Sequence, residues 1–395
     1  MLLIVVQIKN LLDIQNTFGA AFGEKLLKQI CERGQALMPA DVPIALIQRD
    51  RLALAFPGGS ETKQRRTEIE VRVRAPYEID GVSVHVDFAF GAAEYPKHAH
   101  TLDDLLQKAS IAMHAAVTHK RPFHLYDSAA DLIRRENLEL LGMIPTAIAN
   151  NEFAAWHQAK LHLESGKVSS TEALLRWIHP ERGLIPPGAF IPQAEDSDLI
   201  DDITRWVIRA VLADKAHWTA RGHSLGVAIN LSVRNLHQRS LLDTLHETVS
   251  QHRIDPQQVE IEITESAVMD DFEHCKTLIA RLRDHGYRVS IDDFGTGHSS
   301  LAYLKNLPVC ALKIDQAFIR NLAQDSNDQK IVRAILGLAK SLKLESVAEG
   351  VENNEALALL REWGCDYAQG YAVHKPAPRD KLLAWLETTS LAPAA

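Results

Sequence analysis

From Glu152 onward the chain repeats one pattern. A short apolar run ends in a polar residue, and a helical segment of about 12–18 residues follows. The runs are Phe153–Leu163, Val168–Trp177, Gly226–Leu231, Val259–Thr264, Arg288–Asp293, Ala311–Asp315, Ser346–Glu349 and Asp366–Gln369. Glycines stop several of the helices, as at Arg221-Gly222, His285-Gly286 and Trp363-Gly364. Eight strand signals with intervening helices over about 245 residues predict an α/β fold of the (β/α)8 barrel type. A doubly wound open sheet is the other arrangement these elements allow.

The first 127 residues read as a smaller α/β unit. Leu2–Ile8, Ile44–Phe56, Val82–Ala92 and Phe123–Tyr126 have strand character. Phe22–Met38 and Leu102–His119 have helical spacing. Residues 128–150 read as a helical connector, with Pro145 placed to end one helix and start the next. The expected organisation is therefore a small domain over 1–127, a linker over 128–150 and a barrel over 151–395.

Charge narrows the partners. Residues 1–127 hold 15 basic and 15 acidic side chains, and the net charge of −8 falls entirely on the remainder. An acidic chain is a poor match for a nucleic-acid polymer or an anionic membrane surface. No apolar stretch of about 18 residues occurs, so no membrane contact is expected from this chain. Cys31, Cys275, Cys310 and Cys365 form no C-x-x-C pair, and a reducing, cytoplasmic setting is expected.

In such a barrel the C-terminal strand ends carry the active site. Here those ends are rich in functional groups: Glu172, Asn230, Glu262 and Glu265, Asp292 and Asp293, Lys313 and Asp315, Glu349 and Gln369. Each alone reads more simply as a helix cap, a turn former or a structural ion pair. Together they would converge on one pocket. Five carboxylates there would repel one another unless cations neutralise them. Oxygen donors without Cys or His select a hard cation, Mg²⁺ or Mn²⁺. The residues leave open both a metal-assisted reaction on an anionic substrate and a purely structural role.

The motifs carry a family resemblance. Thr171-Glu172-Ala173-Leu174-Leu175-Arg176-Trp177 resembles the signature of the EAL domain, a bacterial cyclic di-GMP phosphodiesterase. The likeness continues through Asn230-Leu231-Ser232, Glu262-Ile263-Thr264-Glu265-Ser266, Asp292-Asp293-Phe294-Gly295-Thr296-Gly297, Leu312-Lys313-Ile314-Asp315, Val347-Ala348-Glu349-Gly350-Val351-Glu352 and Gln369-Gly370-Tyr371.

The resemblance implies residue roles. Glu172, Asn230, Glu262 and Asp292 match metal ligands, with Asp292 bridging to a second cation beside Asp293 and Glu349. Lys313 matches the lysine that positions the attacking water, and Glu349 is the other candidate to take its proton. Glu265 matches the residue that holds the Asp292–Gly297 loop. Gln158, Arg176, Asp315 and Gln369 match groups near substrate, and Glu352 a further residue of the pocket. Two Mg²⁺ or Mn²⁺ per site, cleavage to linear pGpG, and a homodimer formed near Asp292–Ser300 are likewise implied. A receptor that binds cyclic di-GMP without cutting it is the alternative. Departures from the pattern are His157-Gln158-Ala159-Lys160, where the family commonly has Tyr-Gln-Pro-Ile, and His298 in place of an aromatic.

The N-terminal part resembles a GGDEF domain, the diguanylate cyclase module, in element order but not in chemistry. Its signature position reads Gln48-Arg49-Asp50-Arg51-Leu52, without the glycines that admit a nucleotide. Its first strand reads Gln7-Ile8-Lys9 where the resemblance would have Asp-x-Asp. Cationic residues at two metal-binding positions would repel Mg²⁺. A catalytically silent, regulatory domain is expected.

Overall fold

The computed structural model describes all residues except 38–43, 57–66, 68–69, 237, 296–303 and 390–395. The chain divides into two compact units, Met1–Glu136 and Asn137–Ala395.

The first unit is built on a five-stranded sheet. Strands β1 (Leu2–Ile8), β2 (Ile44–Gln48), β3 (Arg51–Phe56), β6 (Phe88–Glu94) and β7 (Phe123–Leu125) lie in the order β2-β3-β1-β6-β7. A separate hairpin pairs β4 (Tyr77–Ile79) with β5 (Val82–Val84). The expected single strand over Val82–Ala92 is thus two strands in two sheets. Leu2, Ile4, Val6 and Ile8 pack in one core cluster, and Leu3 and Val5 in another, which follows from the period of two. Helices α1 (Leu11–Phe18) and α2 (Ala20–Ala36) follow the first strand, and α3 (Leu102–Thr118) lies against β6. That contact requires Gly91: a Cβ there would meet the Met113 backbone nitrogen at 1.9 Å and the Ala109 carbonyl oxygen at 2.5 Å.

Helix α4 (Ser128–Ala149) runs unbroken through Pro145, contrary to the expectation of two helices. Pro145 removes one backbone donor, at a cost of about 3 kcal/mol in a helix interior. Leu140, Ile144 and Ala147 are buried with Phe153, Trp177 and Phe190. Burying a large apolar side chain contributes about 1.5–3 kcal/mol, so packing on both sides of the proline offsets its cost. The division between the units falls inside this helix.

The second unit is a closed eight-stranded barrel. Its strands are β8 (Phe153–His162), β9 (Lys167–His179), β11 (Gly226–Asn230), β12 (Val259–Thr264), β13 (Arg288–Phe294), β14 (Ala311–Ile314), β15 (Glu345–Ala348) and β16 (Tyr367–Ala368). The short strands β10 (Gly183–Ile185) and β17 (Ala377–Pro378) extend the sheet, and a β8–β9 pairing closes it. The open-sheet alternative is therefore excluded.

The barrel departs from a regular (β/α)8 array at its first strand. β8 is antiparallel to both β9 and β16, and it joins β9 by a hairpin rather than a helix. The other neighbours from β9 through β16 are parallel. Along β12, Val259, Ile261 and Ile263 are buried in the apolar core, while Glu260 and Glu262 alternate with them. The same alternation sets Arg288, Ser290 and Asp292 against Val289 and Ile291 on β13. The alternate set of these strands supplies the polar network described next.

Candidate active site

Lys313 stands at the centre of the site. It lies on β14 and is completely buried. Its Nζ is 2.5 Å from Glu349, 2.7 Å from Glu262, 3.1 Å from Asp292 and 3.5 Å from Glu172. Burial opposes its charge, but these carboxylates hold its pKa well above the ordinary lysine value. One ammonium cannot balance four carboxylates. Burial and the neighbouring acids push Glu349 well above the carboxylate range and raise Glu262. Burial and the adjacent Asp292 push Asp293 up to about 6.

The carboxylates form two overlapping clusters. Oxygens of Glu172, Glu262 and Asp292 lie within 4.8 Å of one another, as do oxygens of Asp292, Asp293 and Glu349. Asp292 belongs to both. The donor set is all oxygen and its negative charge exceeds the cationic charge beside it. Both properties fit hard divalent cations.

Amides hold the first cluster in place. Asn230, at the end of β11, donates from Nδ2 to Glu172 Oε1 at 2.7 Å. Gln369 donates from Nε2 to Glu172 Oε2 at 2.6 Å and to Gln158 Oε1 at 3.1 Å. Gln158 in turn donates to the His374 carbonyl oxygen at 3.0 Å. Gly370 permits the approach of this segment to Val351: a Cβ on it would lie 2.2 Å from the Val351 carbonyl oxygen.

Glu265 is buried and its Oε2 accepts from the Gly295 backbone N–H at 2.9 Å. That anchors the start of the loop after β13. Thr296, Gly297, His298 and the rest of the expected dimer segment through Ser300 lie outside the described residues. Arg176 is half-buried, with its guanidinium 5.5 Å from the Trp156 ring centre. Asp315 caps a short helix by accepting from the Ala317 N–H at 2.7 Å, and its side chain also bonds Asp293. Glu352 is exposed, 3.9 Å from Arg320, and is in neither carboxylate cluster.

Two further residues beside the site, Lys160 and His374, stand outside the motif residues of the sequence. In the sequence Lys160 is only a departure from a motif, yet its Nζ lies 2.7 Å from Glu262 Oε1. Its period-two spacing from Gln158 on β8 was the available signal. A cavity of about 220 Å³ opens at the other end of the barrel, lined by Lys160, Ser170, Gly226, Glu260, Arg288 and Glu345 near the strand starts. It is separate from the carboxylate clusters.

In the N-terminal unit, Gln7 Nε2 donates to Asp50 Oδ2 at 3.0 Å, and Arg51 lies 3.9 Å from the same carboxylate group. Gln7, Asp50 and Arg51 are thus engaged with one another. No helix among the described residues is long and apolar enough to cross a membrane.

These features define a closed α/β barrel whose strand ends carry lysine-centred carboxylate clusters that could hold a cation. Residues 141–376 match the EAL domain model, and the chain belongs to that family. Residues 1–122 match the model described as diguanylate cyclase, GGDEF domain. The chain is 34% identical over 377 residues to the bifunctional diguanylate cyclase/cyclic di-GMP phosphodiesterase MucR of Pseudomonas aeruginosa, covering 94% of this chain and 55% of that protein. It is 32% identical to the cyclic di-GMP phosphodiesterase PdeR of Escherichia coli, over 97% of this chain and 58% of that one. Among solved structures, the PaMucR phosphodiesterase in complex with c-di-GMP is 39% identical, with a TM-score of 0.60 over 62% of this chain and 99% of that chain. The chain spans about half the length of the curated relatives it matches.

Proposed function

We propose that this chain hydrolyses cyclic di-GMP to linear pGpG with two divalent cations, Mg²⁺ or Mn²⁺, and that its GGDEF-type domain is catalytically silent. The observation that carries the reading is the ring of Glu172, Glu262, Asp292 and Glu349 around the buried Lys313. The relatives named as phosphodiesterases supply the substrate.

Glu172, Asn230, Glu262 and Asp292 would hold one cation, and Asp292, Asp293 and Glu349 the second. When bound, such cations lower the pKa of a coordinated water and offset charge that builds at phosphorus. Lys313 Nζ orients the attacking water, and the carboxylates around it keep that nitrogen protonated. With Lys313 held as an ammonium, Glu349 is the group that takes up the water's proton. Gln369 and Asn230 fix the two oxygens of Glu172, and Glu265 fixes Gly295. Arg176 offers a cation to a phosphate or a donor edge to a base. Residues 128–150 act as the linker between a 1–127 domain and a 151–395 domain, and the barrel pairs as a homodimer in the cytoplasm.

The test is incubation of the purified chain with cyclic di-GMP and either metal, following the linear dinucleotide. Turnover that Glu172→Ala abolishes is the expected result. Binding without turnover under both metals refutes hydrolysis and supports a receptor.

A further inference from the structure

Glu262 is a buried carboxylate with an ammonium on each oxygen. Lys313 donates to Oε2 at 2.7 Å and Lys160 to Oε1 at 2.7 Å. Glu262 is 0% exposed and Lys160 2%. A carboxylate buried this deeply costs several kcal/mol unless its charge is paired and hydrogen-bonded.

The two lysines approach from different parts of the barrel. Lys313 belongs to the carboxylate ring. Lys160 comes from the antiparallel β8 and lines the cavity near the strand starts. Lys160 is itself held by Glu260 Oε1 at 3.2 Å, and that same oxygen accepts from Ser290 Oγ at 2.9 Å. Glu260 also pairs with Arg288 at 3.4 Å, and Arg288 with Glu345. Opposite charges therefore alternate along the series Lys313, Glu262, Lys160, Glu260, Arg288 and Glu345.

From this we infer that Lys160 is a positioning residue for the metal ligand Glu262, an inference that rests on the metal reading proposed above. A cation captured by Glu262 competes with Lys313 for the ring of carboxylates. Lys160 stands outside that ring and contacts neither Glu172, Asp292 nor Glu349. It grips Oε1 whether Lys313 stays or yields. It thereby fixes the side chain so that Oε2 faces the ring, and it offsets part of the charge that would otherwise accumulate in an empty cluster. Its effect belongs to metal affinity rather than to the chemical step.

The experiment measures Mn²⁺ binding to the full chain by electron paramagnetic resonance at fixed pH, beside turnover against metal concentration. Lys160→Met keeps the stem and removes the donors. It is expected to weaken Mn²⁺ binding about 10- to 100-fold, the usual consequence of losing a residue that orients a ligand. Saturating metal should restore most of the turnover, and Lys160→Arg should restore most of the affinity. A folded Lys160→Met protein with wild-type Mn²⁺ affinity overturns the inference. If that variant does not fold, Glu260→Gln decides, since it loosens Lys160 and leaves every proposed ligand in place. Weakened Mn²⁺ binding then supports the inference, and unchanged binding overturns it. Absence of Mn²⁺ binding by the wild-type chain would instead defeat the metal reading, and this inference with it.

Discussion

Gln369 Nε2 and Glu172 Oε2 are 2.6 Å apart, joining the last barrel strand region to the β9 carboxylate. The hydrogen bond fixes one oxygen of Glu172 while Asn230 takes the other. Gln369→Leu removes that hold without adding charge. Turnover of cyclic di-GMP should fall about 10- to 100-fold, with the metal requirement shifted to higher concentration. Gln369→Glu should be worse, because it adds another carboxylate to a cluster already short of cations. A metal titration of initial rates checks both.

Glu265→Ala tests the loop anchor. It leaves the Gly295 N–H without its carboxylate acceptor, and a bond of this charged kind contributes about 1.5–3 kcal/mol. Turnover should fall by about one to two orders of magnitude if the loop geometry is needed only in the reacting complex. Mn²⁺ binding should change much less. Equal losses in both measurements would place Glu265 in the metal site itself.

Lys215 supplies a pH signature remote from the carboxylates. It is buried on the helix Leu199–Ala220, donating to the Leu225 carbonyl at 2.6 Å and to Gln258 Oε1 at 2.7 Å. Burial pulls its pKa down to about 8. The unfolded chain, with an ordinary lysine near 10.4, binds more protons between those two values, so this group makes stability rise with pH across that window. Lys215→Met should remove the rise. Urea unfolding at pH 7 and pH 9.5, wild type against variant, measures it.

Gly91→Ala should damage the first unit severely. The new methyl would collide with backbone atoms of α3, which cannot move as a flexible side chain does. A loss of about 3 kcal/mol or more is expected, at the upper end for overpacking. Thermal unfolding of the variant reads it directly.

The silent cyclase reading predicts no cyclic di-GMP from GTP and no heat of GTP binding in titration calorimetry. Gln7 and Asp50 already engage each other where a nucleotide-bound metal would be needed. Detectable synthesis would refute it.

Much of this molecule was legible in the sequence because strand ends and helix stops are local signals. The eight barrel runs correspond to eight observed strands. Their direction was not legible: the apolar pattern of Phe153–His162 is the same whether the strand runs parallel or antiparallel. Pro145 misled for the opposite reason, since a local rule was overridden by packing of Ile144 and Ala147. In the site, Glu172, Asn230, Glu262, Asp292, Lys313, Glu349 and Gln369 are joined by contacts, as their places at strand ends implied. Glu352 is exposed beside Arg320 and joins none of these contacts. Lys160 escaped because its partners Glu260 and Glu262 lie far along the chain, and no local pattern reports a bond across a barrel.

The hairpin that opens the barrel bears on the order in which the site can assemble. Gln158 sits directly across from Glu172 in the β8–β9 ladder, so these two meet through a local turn. Hairpins of this kind form on the microsecond scale, whereas distant pairings wait on loop closure. The amide of Gln369 reaches Glu172 and Gln158 across 197 and 211 residues of chain. A nascent chain would thus carry half of the pocket early, and would gain a competent one only when its final strand arrives.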